Sequence, residues 1–330
     1  MNPFSWQTAA SVTEATANKK QPGTQLLAGG TTQLDLMKCD VFKPTRLIPV
    51  TQLTGMDNIT FNDEIITLGA MVYMSELASH EACQRQAPAI YESLWQAASP
   101  QIRNMATLGG NLCQRTRCGY YRDPHTFSDC NKRNPGSGCA ALKGVNRNHA
   151  ILGGSESCVA VYPGDLAVAL TAFDAVVILE NAQGIKRRVP IEQFYLLPGN
   201  SPEKEFDIGD DEMITAIEIP QTPALKNSTY LKVRDRSSYE FAAASAAVGL
   251  VVENGVMVDV RIALGGVATK PWRARTVEQA LKGQRFDEAL INQAAEQVVA
   301  EAQPLAHNAH KIKLAPRVIA RALMTAGETA

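Results

Sequence analysis

The sequence predicts a mixed α+β protein with more than one domain, and three observations support this fold class. Short apolar segments bounded by turn residues indicate strands through most of the chain. The C-terminal end indicates helices, in segments 276–282, 286–302 and 316–325. A proline-flanked connector at residues 220–227 separates two strand-containing parts. With 330 residues, the chain is long enough for two or three full-sized cores.

The composition excludes several classes of function. Hydrophobic residues make up 45% of the chain and charged residues 20%, as in ordinary globular proteins. The formal net charge is −1, so no overall field attracts nucleic acid. No apolar run approaches the roughly 20 residues of a membrane helix. Residues 1–6 lack the regions of a signal peptide. We expect a soluble protein that stays in the cytoplasm or leaves it with a partner.

The first 50 residues predict a strand–helix–strand unit around a glycine loop. Ser11 and Glu14 fit a capping box that starts a helix ending near residue 18. A strand at 25–28 runs into the sequence Gly-Gly-Thr-Thr at 29–32 and a helix at 33–38, with further strands at 4–6 and 46–50. Such a loop presents backbone N–H groups to an anion. It matches neither the dinucleotide nor the P-loop pattern, so it is either a phosphate site or an ordinary turn.

A second Gly-Gly turn is predicted at residues 107–111, where a hydroxyl and an amide stand beside the glycines. Two strands and two helices are predicted before it, at residues 59–70, 75–83 and 88–98. The two loops are about eighty residues apart in the chain. Together they could hold the two ends of one phosphate-bearing ligand.

The rest of the chain predicts further strands and one capped helix. Asp165 fits the N-cap of a helix at 166–172. The predicted strands are 158–162, 175–180, 185–189, 212–219, 229–234 and 256–264. Segment 241–253 fits either a helix or a strand. The five histidines are scattered, and His307 and His310 are predicted at the surface rather than as metal ligands.

A polar, basic segment carries four cysteines: Cys118, Cys130, Cys139 and Cys158. A loop as long as 114–143 inside a domain needs something to order it, and four thiolates around one centre would do so. Disulfides suit small secreted domains, and structural zinc usually takes close C-x2-C pairs, which this segment lacks. A [4Fe–4S] cluster accepts four cysteines at flexible spacing. The spacing favours the cluster but leaves zinc and free or disulfide-bonded thiols open.

Several segments, in one order along the chain, resemble the FAD-binding subunit of the molybdenum hydroxylases, the xanthine dehydrogenase and carbon monoxide dehydrogenase superfamily. They are residues 27–34, 107–111, 163–166, 214–220, 230–234, 264–268 and 271–273. Residues 115–118, 135–142 and 155–158 more narrowly resemble the flavin subunit of bacterial periplasmic aldehyde oxidoreductases. Those subunits carry a [4Fe–4S] cluster besides FAD, and 4-hydroxybenzoyl-CoA reductase has a related extra cluster.

The resemblance implies a domain plan. An FAD-binding PCMH-type domain, similar to vanillyl-alcohol oxidase, would span residues 1–222. Its subdomains would be 1–55 and 56–222, and the second would contain the [4Fe–4S] loop 113–158. A C-terminal α+β domain of the carbon monoxide dehydrogenase flavoprotein type would span 223–330.

The resemblance also implies a role for each matching residue. The FAD pyrophosphate would lie on the main chain of Leu27, Ala28, Gly29, Gly30, Thr31, Thr32, Gln33 and Leu34. Its other end and the ribityl chain would contact Thr107, Gly110 and Asn111. Asp165 would accept hydrogen bonds from hydroxyl groups of FAD, Ile214 would pack on the ligand, and Lys232 would lie near the isoalloxazine ring.

Cys118, Cys130, Cys139 and Cys158 would ligate the cluster. Cys113 departs from the family pattern, where an apolar residue is expected, and it is close enough in sequence to be a substitute ligand. Cys39 and Cys83 are predicted as core or surface thiols. Ala97 stands where some relatives place an aromatic ring near the flavin.

The function implied is electron transfer within a heterotrimeric aldehyde oxidoreductase. A large molybdenum-cofactor subunit would oxidise the aldehyde, and a small subunit with two [2Fe–2S] clusters would pass electrons to the FAD of this chain. An external acceptor, such as ferredoxin, would receive them, and the complex would reach the periplasm by co-export with a partner subunit. A hydroxybenzoyl-CoA reductase or a xanthine dehydrogenase-type enzyme is an alternative. A zinc-stapled scaffold without catalysis is the alternative of another class.

Overall fold

Three separate β-sheets form the frame of the molecule, in a computed structural model that describes residues 1–328. The strands, β1 to β12, are Ser5–Trp6, Thr24–Leu27, Arg46–Pro49, Ile59–Phe61, Ile65–Gly69, Val176–Asn181, Lys186–Pro190, Glu212–Pro220, Ser228–Val233, Ala244–Glu253, Val256–Gly265 and Trp272–Arg273. The helices, α1 to α14, are Val12–Lys19, Gln33–Lys38, Met74–Ala78, Glu81–Gln86, Pro88–Trp95, Pro100–Arg103, Leu108–Leu112, Gly119–Arg122, Leu166–Ala172, Ile191–Phe194, Pro223–Lys226, Arg275–Leu281, Glu288–Ala295 and His310–Gly327. The mixed α+β class is confirmed.

The first sheet is small and parallel, with strand order β1-β3-β2. Before β2, helix α1 begins at Ser11, whose Oγ accepts a hydrogen bond from the N–H of Glu14 at 3.1 Å. The predicted cap is therefore present. Strand β2 ends at Leu27, and the chain passes through the first glycine loop into α2. The loop thus lies at the carboxyl end of a parallel strand, where α/β folds commonly bind ligands.

The second sheet is antiparallel, in the order β4-β5-β8-β6-β7. Its inner face and helices α3, α5 and α9 share the largest core, where Leu68, Ile217 and Leu170 are fully buried. The predicted helix at 75–83 is two helices, α3 and α4, because His80 is extended between them. The second glycine pair was predicted to form a turn between elements. It lies instead in the first turn of helix α7.

The third sheet is antiparallel, in the order β12-β11-β10-β9, and packs against α14 and the other C-terminal helices. The ambiguous segment 241–253 is strand β10 from Ala244 onward. Its residues from Ala244 to Leu250 are buried on both faces, which removes the alternation that identifies a half-exposed strand. The predicted helix 286–302 is shorter, since α13 ends in a 3₁₀ turn at Glu296–Val299.

The predicted strand at 158–162 is wrong. This segment makes its backbone hydrogen bonds with loops instead of a sheet. The Val159 carbonyl accepts from the Ala150 N–H, the Tyr162 N–H donates to the Ala268 carbonyl, and the Val161 carbonyl accepts from the Thr116 hydroxyl. His307 and His310 are exposed, as expected. Within the described chain, none of the helices combines the length and apolar character that crossing a membrane requires.

Candidate functional site

The first glycine loop presents unpaired backbone donors. Gly30 has a φ of +75°, in the region that favours glycine. Within residues 1–328, the N–H groups of Gly30, Thr31 and Thr32 form no hydrogen bond with the rest of the chain. Helix α2 starts directly behind them. Free amides beside the positive end of a helix form an anion site.

The two glycine segments touch one another. A Cβ added to Gly29 would lie 1.7 Å from the carbonyl oxygen of Met105, and one added to Gly110 would lie 3.5 Å from the Cβ of Ala28. The absence of a side chain at Gly29 therefore lets the first loop approach the chain that leads into α7. Two segments far apart in sequence thus form one surface.

The backbone N–H groups of the second glycine segment are already paired within the protein. The Leu108 and Gly109 N–H groups donate to the carbonyls of Val72 and Ala70, which lie between strand β5 and helix α3. Thr107 Oγ1 accepts from the Gly110 N–H at 3.2 Å. The free acceptor here is the side-chain oxygen of Asn111, which is buried and has no hydrogen-bond partner. The second segment therefore holds a buried, unpaired acceptor, while the first loop has free donors.

A large cavity lies between the two segments, with an empty volume of about 1240 Å³ that is partly open to solvent. It brings together many of the residues singled out from the sequence: Ala28, Gly29, Gly30, Thr31, Thr32, Gln33, Thr107, Gly110 and Ile214. Other expected contacts lie outside this lining: Leu27, Leu34, Asn111, Asp165 and Lys232.

Two cations line the same cavity and were not identified from the sequence. Lys19 Nζ donates to the carbonyls of Gly209 and Glu212 at 2.8 and 2.7 Å, and burial lowers its pKa. The Arg115 guanidinium lies 5.6 Å and 5.8 Å from the ring centres of Phe42 and Phe206. Both line the same cavity as the free amides, and Arg115 is also paired with the Glu205 carboxylate at 3.4 Å. Only the chain fold brings them to the glycine loop, so no local pattern marks them.

Asp165 and Lys232 form a buried ion pair, with Nζ 2.8 Å from Oδ2. The Tyr230 hydroxyl donates to Asp165 Oδ1 at 2.6 Å, and Lys232 also donates to the Gln96 carbonyl at 3.2 Å. Burial raises the pKa of Asp165 despite the opposing effect of Lys232. Asp165 occupies the N-cap position of α9, but its side chain makes no capping hydrogen bond. The simpler interpretation of Asp165 as a plain N-cap is therefore wrong.

The four cysteines of the polar segment line one small pocket, together with Tyr121, Lys132 and neighbouring residues. All four are free thiols, and Cys130 and Cys139 face each other in an isolated antiparallel bridge. The backbone N–H groups of Tyr120 and Tyr121 reach the Cys118 sulfur. Others reach the sulfurs of Cys130 and Cys158. Such N–H···S contacts suit sulfurs that carry negative charge.

Burial raises the pKa of Cys118 to about 12 and that of Cys158 to about 11. These thiols would stay protonated at neutral pH unless a metal cation held them as thiolates. His149 Nε2 lies 3.2 Å from Cys118 Sγ, and burial lowers the pKa of His149 to about 4. The sequence left this histidine unassigned, because 31 residues separate it from Cys118.

The remaining cysteines lie elsewhere. Cys113 lines the large cavity rather than the cysteine pocket, and burial raises its pKa to about 11. Cys83 is buried and Cys39 is partly exposed. Within residues 1–328, no three His, Cys, Asp or Glu side chains are grouped closely enough to hold a single metal ion.

Two family models cover most of the chain. The FAD binding domain in molybdopterin dehydrogenase matches residues 2–222. The CO dehydrogenase flavoprotein C-terminal domain matches residues 229–326. The chain is 41% identical to the aldehyde oxidoreductase FAD-binding subunit PaoB of Escherichia coli (strain K12), over 99% of both proteins. It is 25% identical to the carbon monoxide dehydrogenase medium chain of Hydrogenophaga pseudoflava, over 98% of this chain and 96% of that one.

Solved structures share the fold. A carbon monoxide dehydrogenase chain from Hydrogenophaga pseudoflava superposes with a TM-score of 0.77 at 24% identity, covering 99% of this chain and 98% of that chain. A chain of quinoline 2-oxidoreductase from Pseudomonas putida 86 gives 0.76 at 21% identity, covering 100% and 98%. The resemblance found in the sequence is confirmed. The chain belongs to the FAD-binding subunits of the molybdenum hydroxylase family.

Proposed function

We propose that this chain is the electron-transfer flavoprotein subunit of a heterotrimeric, molybdenum-containing aldehyde oxidoreductase. The observation that carries the proposal is the contact of the two glycine segments around one cavity. The chain that builds this cavity is 41% identical, end to end, to an aldehyde oxidoreductase FAD-binding subunit.

The cavity fits a dinucleotide such as FAD. The free amides of Gly30, Thr31 and Thr32 suit a pyrophosphate, and Lys19 and Arg115 line the same cavity. Because Arg115 is paired with Glu205 at 3.4 Å, its field is weaker than that of a free cation. The other proposed contacts on these segments are Leu27, Ala28, Gly29, Gln33, Leu34, Thr107, Gly110 and Asn111. When bound, FAD would supply the redox chemistry, while the chain supplies binding, orientation and electrostatics.

Ile214 at the cavity and the Lys232–Asp165 pair outside its lining have separate proposed roles. Ile214 lines the cavity and would pack against the ligand. Lys232 would lie near the flavin ring and favour its reduced form. Because its ammonium group is 2.8 Å from the Asp165 carboxylate, it would act there as one half of an ion pair, with a weaker field than a free cation. This pairing leaves Asp165 less available to FAD hydroxyls.

We further propose that Cys118, Cys130, Cys139 and Cys158 hold a [4Fe–4S] cluster. A single zinc ion binds each sulfur ligand at about 2.3 Å, so the four sulfurs would have to surround one ion position. The cysteines instead line a common pocket without grouping around one ion position. A cluster bonds each thiolate to a different iron, which suits this arrangement. Its iron would also explain how thiols with raised pKa become ligands.

The partners and location follow from the same proposal. A large molybdenum subunit and a small subunit with two [2Fe–2S] clusters would deliver electrons to this chain, and an external acceptor such as ferredoxin would remove them. The complex would be periplasmic, exported with a partner subunit. The division into residues 1–222, with subdomains 1–55 and 56–222, and residues 223–330 is part of this proposal.

The test is the absorption spectrum of the protein purified anaerobically with its partner subunits, before and after dithionite. We expect flavin bands over a broad iron–sulfur shoulder, with both bleached on reduction. Metal and sulfide analysis should find iron and acid-labile sulfide. A protein without flavin would overturn the electron-transfer function. Zinc without sulfide would leave a scaffold role for the cysteine segment.

A further inference from the structure

His149 is a side-chain donor placed against one sulfur of the cysteine pocket. Its Nε2 lies 3.2 Å from Cys118 Sγ, and its other ring nitrogen, Nδ1, is buried with no hydrogen-bond partner. The N–H groups that reach the sulfurs of Cys118, Cys130 and Cys158 besides it come from the backbone. If the ring proton were on Nδ1, a buried N–H group would be left unpaired, which costs more than a bare acceptor. The proton therefore belongs on Nε2, facing the sulfur.

The backbone of His149 is held by hydrogen bonds to two asparagines. The His149 N–H donates to the Asn146 carbonyl at 3.0 Å, and its carbonyl accepts from Asn308 Nδ2 at 3.2 Å. Both asparagines are fully buried. Asn146 in turn accepts from the N–H of His307 at 3.0 Å. These bonds fix the backbone of His149, and the residue itself is only 7% exposed, so its ring lies inside the protein rather than at the surface.

We propose that His149 is a positioning residue that sets the reduction potential of the cluster through an Nε2–H···Sγ hydrogen bond to Cys118. The inference rests on the proposed [4Fe–4S] cluster. Reduction adds an electron to the cluster and increases negative charge on its ligating sulfurs. A donor hydrogen bond stabilises the reduced form more than the oxidised form, and hydrogen bonds to the sulfurs are a main determinant of cluster potential. His149 therefore raises the potential and makes this cluster easier to reduce.

The experiment is an anaerobic redox titration of the whole complex, in which the cluster is followed by electron paramagnetic resonance and iron and sulfide are measured in each sample. His149→Leu removes the donor and keeps an apolar side chain of moderate size. We expect full iron content and a potential shifted to a more negative value. His149→Gln places an amide N–H near the former Nε2, so its potential should return toward that of the wild type.

Tyr120→Phe is the matched control, because it removes only the ring hydroxyl and keeps the backbone N–H that reaches the Cys118 sulfur. The Tyr120 ring is 6.0 Å from that of His149, and its hydroxyl contacts the Val145 carbonyl at 3.3 Å rather than a sulfur. The control should leave the potential unchanged. An unchanged potential in iron-replete His149→Leu would overturn the inference. So would an equal shift in the Gln or Phe variant, or loss of iron in the Gln variant. A wild-type complex without iron would instead refute the cluster itself, and this inference with it.

Discussion

Arg117 of the cysteine segment forms an ion pair with Asp35, with 3.0 Å between Nη1 and Oδ2. Asp35 lies in the first turn of α2, the helix behind the first glycine loop. Arg122 contacts the same carboxylate oxygen. Beside them, Tyr121 and Cys130 pack against Leu36 of that helix in a small apolar cluster. The cysteine segment thus supports the element that carries the phosphate loop. This connection predicts that the two proposed cofactor sites depend on each other, and that the dependence is reciprocal.

Arg122→Gln should weaken FAD binding. The ion pair with Asp35 is partly buried, so we expect a loss of about 1 kcal/mol, or about fivefold in affinity. The measurement is titration of the flavin-free complex with FAD, followed by quenching of flavin fluorescence. Arg188→Gln is the control, since Arg188 pairs with Glu218 on the second sheet and should leave the affinity unchanged.

Asp35→Asn tests whether Asp35 affects FAD binding by fixing the position of helix α2 or by its negative charge. Removing this carboxylate would tighten phosphate binding if long-range charge alone mattered, because the negative charge near the loop disappears. If the contact to the cysteine segment fixes the helix, Asp35→Asn should weaken binding as Arg122→Gln does. Tighter FAD binding in Asp35→Asn would therefore contradict the proposed coupling.

Cys130→Ser should abolish the cluster. Serine keeps the size of the buried side chain but supplies a poor ligand for iron. We expect iron and acid-labile sulfide to fall to a small fraction of the wild-type values. Cys39→Ser is the matched control, because Cys39 lies outside the cysteine pocket. Equal iron content in the two variants would remove Cys130 from the ligand set.

Local signals in the sequence predicted the parts of the fold that depend on neighbours in the chain. Ser11 and Glu14 marked the start of α1 because the cap bond between them lies within four residues of the chain. The glycines after β2 marked a loop for the same reason. The second glycine pair was misassigned to a turn. Its helical turn depends on the Gly109 N–H bonding to the carbonyl of Ala70, which lies outside the motif.

Contacts between distant residues could not be obtained in this way. Lys232 lies 67 residues from Asp165, and the sequence alone indicated no ion pair between them. Lys19 reaches the glycine cavity only because α1 packs beside the loop between Gly209 and Glu212. The resemblance to the family supplied several of these residues, but their partners became visible only when the chain was folded.

Gly29→Ala should separate the two glycine segments. The new methyl group would lie 1.7 Å from the Met105 carbonyl oxygen, so one backbone segment must move. We expect the purified variant to retain much less FAD per chain after gel filtration. Gly55→Ala is the control: Gly55 has a φ of +82° with nothing within 4 Å of an added Cβ, so alanine costs about 1 kcal/mol of strain without touching the cavity. Full FAD retention in Gly29→Ala would show that the loops need not touch.

Lys232→Met should destabilise the protein in a pH-dependent manner. It leaves the buried Asp165 carboxylate with the Tyr230 hydroxyl alone, and breaking a buried pair costs about 3–5 kcal/mol. Burial already raises the pKa of Asp165 above its usual 3.8, and loss of the cation raises it further. The folded variant then binds a proton more tightly than the unfolded chain. In the wild type the same carboxyl already has a folded-state pKa above 3.8, so the two proteins differ only above that wild-type pKa. The stability of the variant relative to the wild type should therefore fall as pH rises above the wild-type folded-state pKa of Asp165 and recover as pH drops below it.

Urea unfolding at a series of pH values tests this dependence. Asp165→Asn in the Lys232→Met background should remove the pH-dependent part of the stability loss, because no unpaired buried carboxyl remains.

Lys311→Met provides the matched control. Lys311 is equally buried, but its Nζ donates to the Gly266 carbonyl and not to an acid, and burial lowers its pKa to about 8. Below that pH the amine is protonated in both states, so any stability change in Lys311→Met should be constant between pH 4 and 7. A pH-independent loss in Lys232→Met would show that the Asp165 carboxyl does not carry the cost.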